Sequence, residues 1–455
     1  MIALLLVAAL IAPVLWRWYT ARAERAAFPQ LAGNLAVPGL SAPLRIARDR
    51  WGIPHISAES ERDAYFGLGF AHAQDRPLQL LWWRAAARGE LAAWRGRAAL
   101  PGDRIARGLG FAARARDHWR DLPASVRTLL EAYAAGIEAV WRGFRSGEVT
   151  RPADWPESLL PVPVWEPEDS LAILKFYAWS LEGNIEEVLV MNALLERFGG
   201  LESRIFFPRG GAPDASLQAR LARPRAAPRG LAELRRSSGL AGPSVGSSAV
   251  VVSGARSHSG KPLLVADAHA EATQPAGWYR AHLEAPGFRV AGATRPGLPA
   301  FWSGFTEGVA WASTYPGAVV ADAYVETLRE STNEYHDGRR WRKLAERFES
   351  IEVRGGERFT QRIRETRHGP LLPDLVDEPM APLAISWLGF EPGDGLEGFF
   401  ALARAADGAA VRGALARHHE PVLRVDYVAA DGSFGHALVG SLPKRPQRSQ
   451  LLPFP

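Results

Sequence analysis

The dipeptide Gly246-Ser247, set between an arginine-rich stretch and a β-branched run, is the feature of this sequence best placed to do chemistry. The 455 residues include no cysteine, so disulfide scaffolds, thiolate zinc sites and cysteine nucleophiles are excluded. Any nucleophile is an oxygen or an amine. A serine hydroxyl is weak and needs a base within reach. Taken alone, Gly-Ser is also what a solvated linker contains, and Ser244, Ser247 and Ser248 would all fit that reading. The strand-like run from Ser248 to Ser253 directly after the dipeptide argues that the serine heads an ordered element instead.

The elements around the serine follow from periodicity and breakers. Leu40 to Ile56 alternates and then breaks at Gly52 and Pro54, as a strand and turn would. Asp63 to Leu81, with Ser60 as a cap, and then Asp169 to Leu181 and Ile185 to Phe198, carry apolar residues at helical spacing. The first half therefore reads as mainly helical. From Gly199 to Gly246 the periodicity lapses, and between Arg209 and Gly246 there are seven arginines against two acids, which reads as a linker. Beyond it, Ser248 to Ser253 and Pro262 to Asp267 form a hairpin joined at Ser257-His-Ser-Gly260. Further strands are expected at Phe288 to Ala293, Gly308 to Thr314, Phe348 to Val353, Phe359 to Glu365, Leu383 to Trp387 and Leu423 to Ala430.

Composition limits the partners. The net charge is +5 and the pI near 9.6, but the excess is arginine spread along the chain and gathered in the linker, with nothing like a basic recognition helix. No nucleic-acid partner is expected. The uncharged run from Ile2 to Trp16 is short for a membrane span of about 20 residues and suits the apolar core of an export signal, or an uncleaved membrane tether; a buried N-terminal helix is the alternative. Export to the periplasm, or anchoring outside the cytoplasm, is the expectation.

Asp49-Arg-Trp-Gly-Ile-Pro-His-Ile followed by Asp63-Ala-Tyr-Phe-Gly-Leu-Gly-Phe-Ala-His-Ala-Gln-Asp-Arg76 resembles the opening of the α chain in the penicillin acylase family. Arg84 to Leu91, Asp103-Arg104, Trp165-Glu-Pro-Glu-Asp-Ser170, Gly246-Ser247, Asp267-Ala-His269, Trp278-Tyr279, His282-Leu283 and the stretch Gly304 to Glu326 continue it in the family's order. The resemblance implies an α+β fold, a four-layer α-β-β-α sandwich of the N-terminal-nucleophile hydrolase type. It divides the chain into a leader (1–28), an α-chain-like helical part (29–208), a linker (209–246) and a β-chain-like part (247–455), the last short at its C-terminus relative to the family. The α and β chains of one precursor would be each other's partners.

The same resemblance implies a self-processing amidohydrolase acting on a small-molecule acyl amide without a catalytic cofactor. Ser247 would attack the carbonyl of Gly246, free its own α-amine, and then use that amine as base through a water. An unperturbed α-amine titrates near ~8, which suits a general base. His269 stands where relatives orient the nucleophile. The backbone N–H of Tyr315 would be one oxyanion donor. The second donor is an asparagine side chain in relatives, and here that position is Arg424. Ser248, Phe305-Thr306 and Ala429 also depart from the family's residues. Arg445 matches a family arginine near the site, Ala270 and Ser303 fall on the acyl-pocket wall beside Trp302, and Asp322 represents a structural calcium site from which Val319 has removed a usual ligand. Substrates open to this reading are penicillin or cephalosporin side chains, acyl-homoserine lactones and related N-acyl compounds. Arg424 and the early C-terminus leave a second reading, a weakened or non-catalytic member serving as a binding module.

Overall fold

A computed structural model describes residues 28–182, 185–190, 228–238, 246–270, 272–377, 380–391, 393 and 395–444, with 12 and 17. Its largest element is an eight-stranded sheet in the order β1-β2-β5-β6-β7-β8-β17-β18. These are β1 (Arg45–Arg48), β2 (Pro54–Ser57), β5 (Tyr279–Ala285), β6 (Phe288–Arg295), β7 (Leu298–Phe305), β8 (Val309–Thr314), β17 (Leu423–Ala429) and β18 (Phe434–Val439). Strands from both halves of the chain thus share one sheet, with β2 and β5 paired in parallel across His55 and His282. The strands β3 (Gly246–Val252) and β4 (Leu263–His269) stand apart from it as an antiparallel hairpin, from Gly246 opposite His269 to Val252 opposite Leu263. β9 (Ala321–Val325) pairs with β16 (Leu383–Trp387). The strands β10 (Leu328–Arg329), β11 (Glu334–His336) and β12 (Trp341–Lys343), and β13 (Ala345–Ile351), β14 (Phe359–Thr366) and β15 (Gly369–Pro370), form two small sheets.

Helices cover one face of the large sheet. They are α1 (Glu61–Asp75), α2 (Pro77–Arg88), α3 (Leu91–Arg95), α4 (Leu100–Leu109), α5 (Phe111–Asp121), α6 (Ala124–Ser146), α7 (Pro167–Glu182), α8 (Arg229–Ser237), α9 (Glu397–Leu402) and α10 (Gly408–Leu415). Ser60 caps α1 by accepting from the Asp63 N–H at 3.1 Å, as its sequence position implies. The helix expected over Asp63 to Leu81 is in fact two: Pro77 starts a new helix, and Arg76 before it leaves helical geometry at φ −135°, ψ 40°. α1 and α6 cross closely because each brings a glycine to the crossing. A Cβ at Gly69 would lie 2.0 Å from the Tyr133 carbonyl oxygen, and one at Gly136 would lie 2.0 Å from that of Phe66.

The stretch expected to be linker throughout folds near its end. Residues 229–237 form α8, which buries Leu231 and Leu234 and sets Gly230 against Pro101. Those two leucines, three apart, are a short helical stripe that the surrounding arginines mask in any average over the segment. Arg235 pairs with Glu186 at 2.6 Å, and Trp82 donates its indole N–H to the Ser237 carbonyl at 2.8 Å. The remainder of the expected linker, 209–227 and 239–245, lies outside the described residues, as do nearly all of the leader and the second half of the Ile185 to Phe198 helix.

On the sheet's other face the β3–β4 hairpin packs on β8 and β17. Alternation puts Leu423, Val425 and Tyr427 toward the helices, where Tyr427 meets Arg412 of α10, and puts Arg424, Asp426 and Val428 on the far side. Phe305, Phe434 and Leu438 share that far side and are exposed, as are Val250 and Val265 on the hairpin. The described residues therefore form helices, one eight-stranded sheet, two three-stranded sheets and two two-stranded ones, an α+β arrangement. No helix among them is long and apolar enough to cross a membrane.

Buried polar groups tie the halves together. His72 on α1 meets Tyr133 Oη through Nδ1 at 2.7 Å and Thr294 Oγ1 through Nε2 at 3.0 Å. Thr294 gives its own proton to the Tyr279 carbonyl, so Nε2 is the donor and Nδ1 accepts from Tyr133. Burial pushes the His72 pKa down to about 3, and that of His418, whose Nε2 meets the Pro421 carbonyl, down to about 4.

Two predictions follow from this packing. Gly136→Ala forces α1 and α6 apart and should cost roughly 1–3 kcal/mol or more of unfolding free energy, whereas Gly413→Ala at an exposed position of α10, where a Cβ meets nothing within 4 Å, should be neutral or stabilising. Chemical denaturation of both variants checks this. The unfolded chain takes up protons on these histidines below about pH 6.5, and the folded chain refuses them. Stability should therefore be complete above pH 6.5 and fall as pH drops from there toward 4. Melting temperatures that stay level between pH 7.5 and 5.5 would contradict this.

Candidate active site

Ser247 is the second residue of β3, half-buried, with its backbone opposite Ala268. β8 ends at Thr314, and the next residue, Tyr315, donates its backbone N–H to Ser247 Oγ at 2.8 Å. This contact joins the hairpin to the large sheet at the one hydroxyl whose sequence position suggested chemistry. The donor belongs to the main chain, so its position is set by the end of β8 and not by the tyrosine ring.

His269, at the far end of β4, lies opposite Gly246. Its ring flanks the glycine, with Nδ1 3.5 Å from where a Cβ would stand, and its Nε2 faces the Asp267 carboxylate at 3.2 Å. The histidine thus borders the Gly246–Ser247 peptide, although the polar group its ring faces is the Asp267 carboxylate and not the serine. Arg424 behaves similarly. It is the cross-strand neighbour of Thr314, but its Nη2 donates to Asp426 Oδ1 at 2.8 Å and makes no bond to Ser247. The guanidinium is thus turned to its own strand neighbour, one of the two arrangements open to an arginine at this position. Asp267 with His269, and Asp426 with Arg424, are acids that sequence reasoning passed over. In each case the pair is two residues apart on a strand, which places both side chains on one face.

The expected pocket residues divide between faces. Ala270 follows β4 directly and is half-buried. Ser303 on β7 lies opposite Ala293 and Ala312. Trp302 points the other way, into the helical side, where it meets Tyr177, Trp278 and Phe399 at ring separations of 4.9, 6.5 and 5.1 Å. It therefore does not occupy space beside Ser303. Asp322 sits on β9 opposite Ser386. No group of three or more His, Asp or Glu side chains able to hold a metal occurs among the described residues. Arg445 lies outside the described residues. A cleft of about 590 Å³ near Ser57, Glu284, Arg289 and Arg404 touches none of the candidate residues.

With one backbone donor on a serine hydroxyl and a histidine, faced by a carboxylate, beside the preceding peptide bond, the arrangement suits acyl transfer through oxygen. A family model described as penicillin amidase matches residues 43–455. The penicillin acylase 2 proenzyme of Pseudomonas sp. (strain SE83) is 32% identical over 449 residues, covering 95% of this chain and 57% of that protein. The acyl-homoserine lactone acylase QuiP of Pseudomonas fluorescens (strain Pf0-1) is 29% identical over 445 residues, covering 94% and 54%. The chain thus spans about half the length of the curated relatives it matches. A chain of the thermostable penicillin G acylase from Alcaligenes faecalis superposes with a TM-score of 0.33 and 26% identity over 38% of this chain and 31% of its own, too small a part to bear on the fold.

The backbone donor can be tested without touching the serine. Tyr315→Ala keeps the N–H and should leave activity within a few-fold, whereas Tyr315→Pro removes it and should cost ~100- to 1000-fold in kcat. Equal kcat values for the two variants, with both shown folded by circular dichroism, would contradict the assignment.

Proposed function

The chain belongs to the penicillin amidase family, and on that premise we propose that it is an N-acyl amide hydrolase whose nucleophile, Ser247, is released by cleavage of the Gly246–Ser247 bond. The observation that carries this is the Tyr315 N–H at 2.8 Å from Ser247 Oγ, a fixed donor beside the atom on which the chemistry turns. The relatives described above are named as acylases, one of them as a proenzyme, and a non-catalytic role draws no support from them.

In the processing step Ser247 Oγ attacks the Gly246 carbonyl carbon and the C–N bond breaks as the C–O ester forms. Water then hydrolyses the ester, leaving a carboxylate on Gly246 and a free α-amine on Ser247. In turnover that amine, acting through a water, takes the Oγ proton while Oγ attacks the substrate carbonyl. The N–H of Tyr315 receives the developing oxyanion. The substrate's C–N bond breaks, its amine departs with the proton, and water frees the acid from the acyl-serine. His269, tethered by Asp267, borders the bond that must be cut and orients the new N-terminus. This chemistry needs no cofactor.

The open apolar face of the large sheet is what the second sheet of a four-layer α-β-β-α sandwich would cover, and we read β3–β4 as that sheet's first two strands. The uncharged run from Ile2 to Trp16 supports export from the cytoplasm, with or without retention as a membrane tether.

Intact-mass measurement of the purified protein tests the processing. A chain beginning at Ser247 is expected, and Ser247→Ala should remain a single uncut precursor; cleavage that persists in that variant means an outside protease does the work. The small residues Ala270 and Ser303, with Trp302 turned away, should admit long acyl chains. A decanoyl amide is therefore expected to exceed its phenylacetyl counterpart in kcat/KM, and Ser303→Phe to narrow the gap. A clear preference of the unaltered protein for phenylacetyl would contradict this.

A further inference from the structure

His55 and His282 are register partners on the parallel strands β2 and β5, and both project from the sheet face turned away from the helices. Their Nδ1 atoms meet at 3.1 Å, with ring centroids 5.2 Å apart and planes crossed at 75°. Two neutral imidazoles in this contact share one proton, one Nδ1 donating and the other accepting. Behind His55, the Asp49 carboxylate faces Nε2 at 3.7 Å. It favours the tautomer with the proton on Nε2, which leaves the His55 Nδ1 lone pair directed at His282. The His55 side chain is 45% exposed, so the pair is open to solvent.

The same spacing fits a metal ion. Nitrogen ligands about 2.0–2.1 Å from one ion lie about 2.9 Å apart at a right angle and about 3.3 Å apart at the tetrahedral angle. The observed 3.1 Å falls between these values, and a carboxylate behind the far nitrogen commonly accompanies a ligating histidine. His282 becomes a ligand when its proton moves to Nε2, with no change in charge. Burial first, and His55 beside it, hold the His282 pKa below the ordinary histidine value, so its ring is neutral at pH 7. The two strands already keep the rings in register, so binding has little side-chain order to impose. Glu284, two residues on from His282 and on the same face, is engaged by Arg289, which leaves water to complete the coordination. Imidazole with water suits Ni²⁺, Cu²⁺ and Zn²⁺, whereas Ca²⁺ and Mg²⁺ call for oxygen ligands.

We propose that His55 and His282 form a binding site for a divalent late transition ion such as Zn²⁺, and that the ion clamps β2 to β5. β2 precedes Gly246-Ser247 in the chain and β5 follows it. On the reading that this bond is cut, the ion joins the two resulting chains across a ladder of three residue pairs. Binding itself does not depend on the cut. The role is structural and not catalytic: with strands about 4.8 Å apart, β5 lies three strands and about 14 Å from β8, whose end holds Ser247.

The test titrates the metal-stripped protein with Cu²⁺ and with Zn²⁺ by calorimetry. One ion per chain is expected, and His55→Gln and His282→Gln should each weaken its binding at least about tenfold. The paramagnetic resonance spectrum of the 1:1 Cu²⁺ complex should show coupling to two imidazole nitrogens, falling to one in either variant. Should a variant not fold, the unaltered protein still locates the ion: brief treatment of its Cu²⁺ complex with ascorbate and hydrogen peroxide should oxidise His55 and His282, as read by peptide mass. Zn²⁺ should also raise the unfolding temperature of the unaltered protein by several degrees and leave that of His282→Gln in place. No 1:1 binding, oxidation confined to other histidines, or affinity that both variants retain overturns the site, and an unfolding temperature that Zn²⁺ does not move overturns the clamp. The Ser247→Ala precursor should bind the ion as the processed protein does, so a failure of self-cleavage counts against the acylase reading and leaves this result standing.

Discussion

The seating of the β3–β4 hairpin on β8 and β17 is the constraint on which the candidate site depends. Ser247 sits on a thin scaffold: most side chains of β4 are exposed, and among the described residues β3 and β4 pair as strands with each other alone. The end of β8 fixes where the serine lies, through the Tyr315 N–H. β8 is held in turn between β7 and β17 in a sheet whose helix-facing side buries Trp311, Val425 and Tyr427. A slip of β17 by one residue would turn Arg424 toward the helices, and a slip of β8 would move the donor off the serine. Local geometry at the site therefore depends on core packing some distance from it.

Many of the residues that gave the sequence its resemblance serve this framework and not the chemistry. Asp63 accepts the backbone N–H groups of Ser41 and Ala42, and Asp103 accepts those of Leu91 and Ala92. Asp75 binds Arg48 through both oxygens and also takes the Tyr279 hydroxyl proton, tying β1, α1 and β5 together. Asp169 holds Arg84 and Arg88. Each is a carboxylate buried or half-buried against a matched donor, the condition under which burying charge is tolerable. Arg295 differs: it is buried among Trp83, Tyr177 and Trp278, with the Tyr177 hydroxyl as its one hydrogen-bonded partner among the described residues, so its charge rests largely on ring faces there.

What the sequence made legible follows from range. The β3–β4 hairpin, the strand Leu383 to Trp387 and the Ser60 cap depend on neighbours a few residues away, and they were found nearly to the residue. The break at Pro77 was a local signal given too little weight against a continuous apolar period. α8 was missed because two leucines carry its only apolar stripe, and what makes it a helix is the surface of α4. Tyr315 and Ser247 were paired through family resemblance, since no spacing within the chain announces a contact between residues so far apart. The turn of Arg424 toward Asp426 was readable from their separation by two on a strand, had the competition between a neighbouring carboxylate and a distant oxyanion been weighed.

The central claim is that Ser247 is the nucleophile, and labelling with phenylmethylsulfonyl fluoride followed by peptide mapping tests it most directly. The expected result is one sulfonyl group per molecule, on a peptide whose first residue is Ser247, with none in the Ser247→Ala protein. Label on another residue, or stoichiometric label that survives in Ser247→Ala, would contradict it.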